Sequence, residues 1–284
     1  MKKILFILLP TVWLATGCST KPLPCNDRKD FDLKGDVQSV VIAGYEALDM
    51  DGEIVKDNPW YSLTVFFDQQ GRIQEIQQEG KEVYAYTSRS RTIRHYDFDG
   101  EFESQEVVTY TAQGDILSWT HSDASDTILS QEKYTYNSNG RCIEKEVYSP
   151  FGLNLICRDY AYDAEGHCTA YTAYNLDGTP SYGWQCVYDT LGRKTCEQWL
   201  TPDGAVSGSS TFTYNEQGFV AVETTDNKYT TTYTYEYDEQ GNWIVKHITY
   251  AGGYDRPSYA IEERTIVYYE PIFTYKSTEG IEIK

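Results

Sequence analysis

Glycine recurs along this chain in two interleaved series, each with a period of 26 residues. The first series comprises Gly114, Gly140, Gly166, Gly192 and Gly218. The second comprises Gly100, Gly152, Gly178 and Gly204, with Asp126 in the remaining glycine position. A fixed period of this length is typical of tandem repeats in which each unit is one supersecondary element. Because each unit contains two turns, it is predicted to contain two strands, which form one β-hairpin.

Glycines of the first series end a motif of an aromatic residue, Asp or Asn, two free residues and Gly. In Tyr188-Asp189-Thr190-Leu191-Gly192, the Asp side chain is expected to accept a hydrogen bond from the backbone two residues on. The Gly then takes the left-handed conformation of a G1 bulge, which would cost another residue about 1–2 kcal/mol. In such a turn, Asp pairs with the residue after Gly, which places Tyr188 opposite Lys194 and Cys186 opposite Cys196.

The composition is typical of strands rather than helices. The chain has 26 Tyr, 10 Phe and 6 Trp, and aromatic residues favour strands. We therefore predict an all-β fold of tandem antiparallel β-hairpin repeats, forming one long curled sheet or partial barrel of about sixteen or more strands. The turn tyrosines should lie on one face, and smaller, more polar residues on the other. The sequence does not decide whether the two edges of the sheet meet.

The N-terminal residues predict export and lipidation. Lys2 and Lys3 precede an apolar run, residues 4–14, that is too short to span a bilayer. The segment Leu14-Ala15-Thr16-Gly17-Cys18 resembles a lipobox. Residues 1–17 are therefore expected to be a lipoprotein signal peptide and Cys18 the lipidated residue. The acyl chains at Cys18 are the expected membrane contact.

The rest of the chain is predicted to divide into three parts. We expect residues 18–30 to be a lipidated tether, residues 31–250 the repeat domain and residues 251–284 a C-terminal cap. By analogy with lipoprotein sorting, Ser19 rather than Asp after the lipidated cysteine favours the outer membrane. Lipoprotein surface-export signals resemble an acidic run at this position, so the absence of acidic residues from 19–22 favours a periplasm-facing protein over a surface-exposed one. The net charge of −19 repels phosphate backbones, so nucleic acid is not an expected partner.

The run from Tyr188 to Arg193 resembles the YD repeat of the RHS and YD-repeat proteins. Similar runs occur at 67–73 and 136–141, and the segments 32–40 and 237–243 are similar to small hypothetical lipoproteins of the Bacteroidetes. The resemblance implies a meander of hairpins over most of residues 31–250. In the large RHS toxins such repeats wind into a hollow shell around a toxic domain. We expect this chain to be too short for a closed shell.

The sequence offers few residues for chemistry. No residues form a recognisable set of nucleophile, base and orienting group, so no catalytic residue is predicted. The four histidines, in different repeats, lack metal-ligand spacing, so no metal or other cofactor is predicted. Cys186 and Cys196 are a candidate disulfide on the register above. As one alternative, the cysteines fill a buried column of the repeats. As another, the turn at 175–178 has the bulged form instead, and Cys186 then faces Cys168; the turns at 175–178 and 189–192 cannot both have this form, because the strand between them would need conflicting hydrogen-bond phases.

Four tryptophans lie on predicted strands of several repeats: Trp119, Trp184, Trp199 and Trp243. They either cover the apolar face of a thin sheet, which is the simpler interpretation, or form an aromatic face that stacks against sugar rings. We expect an envelope-anchored, non-catalytic repeat lipoprotein that binds, or serves as a scaffold for, a glycan or a protein partner. The alternatives are a hydrolase acting on envelope polymers and an RHS-like shell fragment associated with a toxin system.

Overall fold

The computed structural model describes residues 26–252 and 257–270. The signal peptide, Cys18 and residues 271–284 lie outside these residues. The described part contains eighteen strands and one short 3-10 helix, Asp27–Phe31. The strands are β1 (Val37–Met50), β2 (Glu53–Phe67), β3 (Ile73–Gln77), β4 (Lys81–Tyr86), β5 (Ser90–Tyr96), β6 (Phe102–Tyr110), β7 (Ile116–Asp123), β8 (Ile128–Tyr136), β9 (Cys142–Ser149), β10 (Gly152–Tyr162), β11 (Cys168–Tyr174), β12 (Pro180–Tyr188), β13 (Lys194–Leu200), β14 (Val206–Tyr214), β15 (Val220–Thr225), β16 (Tyr229–Tyr237), β17 (Trp243–Ala251) and β18 (Ser258–Tyr268).

The eighteen strands close into a barrel. Each strand pairs antiparallel with the next strand in the chain, and β1 also pairs with β18. Val41 of β1, for example, lies opposite Thr265 on one side and Thr64 on the other. The predicted all-β fold of antiparallel hairpin repeats is therefore confirmed. The expectation that the chain is too short to close does not hold for the sheet itself, whose two edges meet.

Two boundaries of the predicted domains differ in the structure. β18, at 258–268, belongs to the barrel although it lies inside the predicted C-terminal cap. The 3-10 helix lies partly inside the predicted tether, yet Asp27 and Arg28 are only 1% and 3% exposed. β18 does not follow a turn with the repeat motif, and the 3-10 helix ends where the motif copy at 31–35 begins, so the sequence pattern predicted neither element.

The motif turns lie together at one end of the barrel, here called the near rim, and the second glycine series lies at the far rim. Gly166 and Gly192 have φ of +95° and +75°, as the turn requires. The Asp189 carboxylate accepts a hydrogen bond from the Leu191 N–H at 2.9 Å, and the Asp189 N–H donates to the Arg193 carbonyl at 2.8 Å. The predicted turn geometry is confirmed.

A second bulge follows the near-rim turns after β2, β6, β8, β10, β12, β14 and β16. Tyr188 lies opposite Lys194 as predicted, but the next paired residue, Val187, lies opposite Cys196. Cys186 therefore lies opposite Glu197. The predicted opposition of Cys186 and Cys196 is wrong, because this bulge turns the two side chains toward different faces of the sheet.

The N-terminal segment, residues 26–36, identifies the face of the sheet that lines the barrel. The Asp27 carboxylate accepts from the Tyr86 hydroxyl at 2.7 Å, while the Lys34 N–H donates to Asn242 Oδ1 at 2.6 Å. These contacts lie at β4 and β17, five strand intervals apart, or about 24 Å along the wall. Seven residues that begin with a 3-10 turn span only about 18 Å. The segment therefore crosses the concave side, and the face with Tyr86 is the inner wall.

Neighbouring repeats are coupled through their turn tyrosines. The residue after the turn glycine lies over the turn tyrosine of the next repeat, as with Arg141 over Tyr162 at 5.2 Å and Arg193 over Tyr214 at 4.4 Å. The hydroxyl of that tyrosine also donates to a carbonyl at the start of the strand that follows the preceding turn. Tyr162 donates to the Cys142 carbonyl at 2.7 Å, for example. In these repeats a side-chain ring contact and a side-chain hydrogen bond add to the backbone pairing of neighbouring strands.

A compact apolar core lies where the ring closes, a region here called the seam and formed by β18, β1, β2 and the N-terminal segment. Val40 and Val65 are 0% exposed and Phe67 is 1% exposed. Phe31 of the N-terminal segment contacts the Phe67 ring edge-on at 5.8 Å. The N-terminal segment is therefore part of the barrel's core.

Candidate functional site

An aromatic patch lines the inner wall across β10 to β13. It consists of Tyr160, Tyr171, Tyr182, Trp184 and Trp199. Antiparallel pairing places Trp184 between Tyr171 on one side and Trp199 on the other. The Tyr171 and Trp184 rings stack at 5.5 Å between centroids, with 23° between their planes. Tyr182 and Trp184 are two residues apart on β12, and the register places Tyr171 and Trp199 opposite Trp184, so these side chains project to the same side.

Most of the patch remains open to the barrel interior. Trp184 is 6% exposed, whereas Tyr160, Tyr171, Tyr182 and Trp199 are half-buried. Burial raises the pKa of Tyr171, so its hydroxyl stays protonated at neutral pH. The patch therefore presents neutral aromatic rings with hydroxyl and indole donors, the combination that stacks on an apolar face and hydrogen-bonds at its edge.

The other two predicted tryptophans do not join this patch. Trp119 lies on β7, where its indole N–H donates to the Glu106 carboxylate at 2.7 Å. Trp243, at the start of β17, is 4% exposed, and the Arg264 guanidinium lies 3.5 Å from its ring centroid. Its ring face is thus already occupied by a cation. Of the four predicted tryptophans, Trp184 and Trp199 are the pair that the fold brings together.

The predicted disulfide cysteines are free thiols. Cys186 instead packs with Cys168 and Trp184 in a buried cluster on the inner wall beneath the aromatic patch. Burial raises the pKa of the Cys186 thiol, which keeps it in the less nucleophilic protonated form. Both alternatives considered above therefore describe Cys186, which is buried among the repeats and packs in one cluster with Cys168.

A histidine between two carboxylates lies on the inner wall of β4 to β6. His95 Nδ1 is 3.6 Å from Glu82 and Nε2 is 3.4 Å from Glu106. The adjacent Glu106 and Glu82 carboxylates raise the pKa of His95 to about 9, against the opposing effect of burial. Burial alone would raise the pKa of Glu106, but the adjacent His95 and the hydrogen bond from Trp119 lower it. At neutral pH the imidazole is therefore a cation whose two nitrogens face carboxylates, rather than a free base.

Sequence reasoning missed this histidine cluster because its members come from three strands with no fixed spacing. Glu82 lies opposite His95 through the pairing of β4 with β5. Glu106 is adjacent through the pairing of β5 with β6. The cluster could be found from the sequence only if the strand register were known across two successive strand pairings.

No group of three or more His, Cys, Asp or Glu within 26–252 and 257–270 is arranged to hold a metal ion. In the same residues, no helix has the length and apolar character needed to cross a membrane.

Comparison with known proteins finds structural likeness only. No family model matches the sequence, and no curated protein matches it. A porin-like protein from Bacteroides uniformis is 14% identical with a TM-score of 0.45, over 81% of this chain and 96% of that one. A porin-like protein from Bacteroides vulgatus is 12% identical with a TM-score of 0.31, over 82% and 99% of the two chains.

The TcdB2-TccC3 toxin complex also resembles this chain. In its complex with Cdc42 it is 12% identical with a TM-score of 0.31, over 77% of this chain but only 14% of the toxin chain. The similar structures thus include Bacteroides proteins and an RHS-related toxin, at a similarity too low to assign a family or an activity.

Proposed function

We propose that this protein is an envelope lipoprotein that binds a glycan on the inner wall of its barrel without transforming it chemically. The observation that carries the proposal is the aromatic patch, in which four half-buried rings surround Trp184. Pyranose rings have apolar faces of C–H groups and hydroxyl edges, so they fit aromatic rings flanked by polar groups.

The position of the aromatic patch favours a glycan over a folded protein partner. Barrels with 16–18 strands leave an aqueous channel, and this barrel has eighteen strands. A slender saccharide chain can enter such a channel, whereas a folded domain is too wide to enter it. The N-terminal segment narrows the near rim, so the far rim is the proposed entrance.

Polar side chains on the outer face of β14 and β16 favour a barrel wall that is in contact with water. On β16, Thr232, Thr234 and Glu236 point outward and are exposed, while the tyrosines between them point inward. Thr211 and Thr213 of β14 repeat this pattern. Barrels that span a membrane carry an apolar band on this face. We infer that the membrane contact is the acyl anchor at Cys18 and that the wall faces water.

Saccharide binding tests the proposal directly. The lipoprotein, purified in detergent, would be titrated with a panel of neutral, acidic and basic oligosaccharides by isothermal calorimetry. We expect Trp199→Ala to weaken binding at least about tenfold, because it removes one stacking ring. Tyr148→Ala is the matched control: its hydroxyl contacts Glu146 on the outer wall, and binding should not change. Release of shortened products, or binding unaffected by Trp199→Ala, would contradict the proposal.

The anchor is tested separately by Cys18→Ala. We expect the variant to leave the membrane fraction or to persist as uncleaved precursor, because the acyl chains can no longer be attached. Normal maturation together with membrane fractionation of the variant would contradict lipidation at this residue. Neither result depends on the outcome of the saccharide titration.

A further inference from the structure

We infer that the saccharide bound by the aromatic patch is uncharged, because the ionised side chains around the patch are committed to one another. This inference rests on the proposed glycan-binding function and specifies its ligand class. It depends on the pairing of opposite charges beside the patch, which the net charge of −19 does not reveal. Beside the patch, each lysine of the inner wall lies against a carboxylate.

Two ion pairs flank the aromatic patch. On one side, Lys145 Nζ is 3.3 Å from the Glu132 carboxylate, and their side chains are 17% and 25% exposed. Lys145 also acts electrostatically on Tyr182, which places this pair beside the patch. On the other side, Lys194 forms an ion pair with Glu197, the residue opposite Cys186.

The same arrangement continues around the inner wall. His95 lies between Glu82 and Glu106, and Lys246 forms an ion pair with Glu262. Each of these cations therefore faces an acidic side chain on a neighbouring strand.

An ionic saccharide would have to compete with these pairs. A uronate needs a free cation and an aminosugar needs a free carboxylate, and taking either one leaves its partner unpaired in a partly desolvated wall. A neutral saccharide leaves each pair intact. Its hydroxyls can donate to Glu132 or Glu197 and accept from Lys145 or Lys194, while its ring stacks on the patch.

The test is a titration with three hexasaccharides of similar size: cellohexaose, which is neutral, hexagalacturonate, which is acidic, and the fully deacetylated chitosan hexamer, which is basic. We expect cellohexaose to bind at least about tenfold more tightly than either charged chain at pH 7 and low salt. Equal or tighter binding of a charged chain would overturn the inference and leave the glycan-binding proposal standing. Failure of all three, and of the wider oligosaccharide panel, would overturn both.

Breaking one ion pair sharpens the test. Glu132→Gln leaves Lys145 without its anionic partner but keeps an oxygen to accept from the Tyr134 hydroxyl. We expect this variant to gain at least about fivefold in affinity for hexagalacturonate, with cellohexaose within about twofold of the wild type. The matched control is Glu144→Gln, which breaks an ion pair with Arg158 on the outer wall and should alter neither affinity. A gain that is the same in both variants would show only an effect of net charge and would overturn the inference.

Discussion

The seam is packed like a small globular core, whereas the repeat wall, from β6 to β14, is a single layer of sheet. In the seam, Val40, Val65 and Phe67 are almost completely buried beneath the N-terminal segment. In the repeat wall, turn tyrosines such as Tyr162 and Tyr214 remain half-buried and contact mainly the adjacent repeat. The wall is thus specified one repeat at a time, and its closure depends on residues outside the repeat.

This difference predicts how stability is distributed. A wall whose units contact only their neighbours gains stability as a sum of many small terms. A seam with a buried core instead concentrates stability in a few side chains. Matched substitutions in the two regions should therefore lower the free energy of unfolding by clearly different amounts. They are given below from the largest expected effect to the smallest.

The largest effect is expected for Phe67→Ala in the seam. Removing a fully buried ring should lower the free energy of unfolding by about 3–5 kcal/mol. Phe212→Ala removes a half-buried ring from the inner wall of β14 and should cost less than half as much. Urea unfolding followed by circular dichroism measures both values. Equal losses would show that the wall is packed as tightly as the seam.

The next effect is expected for Gly166→Val at a near-rim turn. Gly166 has φ of +95° with open space around its Cβ position, so the cost is purely conformational, about 1–2 kcal/mol. Gly208 lies within β14, and its Cβ position is 3.6 Å from Asp226 Oδ1 at the closest. Gly208→Val should therefore change stability little, since valine favours strands. If the two variants have the same melting temperature, the turn assignment at Gly166 is contradicted.

A smaller and pH-dependent effect is expected at His95. Its folded pKa is raised to about 9 from the ordinary value of 6.5. Its charged form therefore stabilises the fold fully below pH 6.5, and that contribution is lost as the pH rises through about 9. The difference in free energy of unfolding between the wild type and His95→Gln should decline over this interval. A difference that stays constant between about pH 6 and pH 10 would contradict this role of His95.

The smallest effect is expected for Tyr214→Phe. This change removes the hydrogen bond from the hydroxyl to the Lys194 carbonyl at 2.6 Å but leaves the ring beneath Arg193. The expected loss is about 0.5–1.5 kcal/mol. Tyr148→Phe removes an exposed hydroxyl contact on the outer wall and should fall within experimental error. A null result for both would show that the hydroxyl link between repeats contributes nothing to stability.

The sequence predicted the part of the fold that repeats. Gly192 and Asp189 act locally, so a five-residue pattern was enough to predict their turn and the pairing of Tyr188 with Lys194. The second bulge, after Lys194, has no comparable signature because no residue in it requires an unusual backbone conformation. Missing that bulge reversed the face assigned to Cys196 and with it the predicted disulfide.

Closure and the aromatic patch were predictable to different degrees. Trp184 and Trp199 could be proposed as a binding face from their positions on strands. The contact of Trp184 with Tyr171 and its pairing with Trp199 required the register of two successive strand pairings. Closure depends on β18 and the N-terminal segment, which lie outside the periodic pattern. Long-range contacts of this kind leave no local trace in a sequence.

The pairing of β1 with β18 also bears on how such a barrel changes during evolution. A closed ring has no free strand edge at which another chain could add. The Tyr269 N–H donates to the Asp36 carbonyl at 2.8 Å, so the ring's first and last residues meet at the near rim. Duplication of one 26-residue unit inserts two strands between existing neighbours and creates no new edge. The number of strands, and hence the bore of the barrel, is therefore a quantity that gene duplication can change in discrete steps while the seam stays the same.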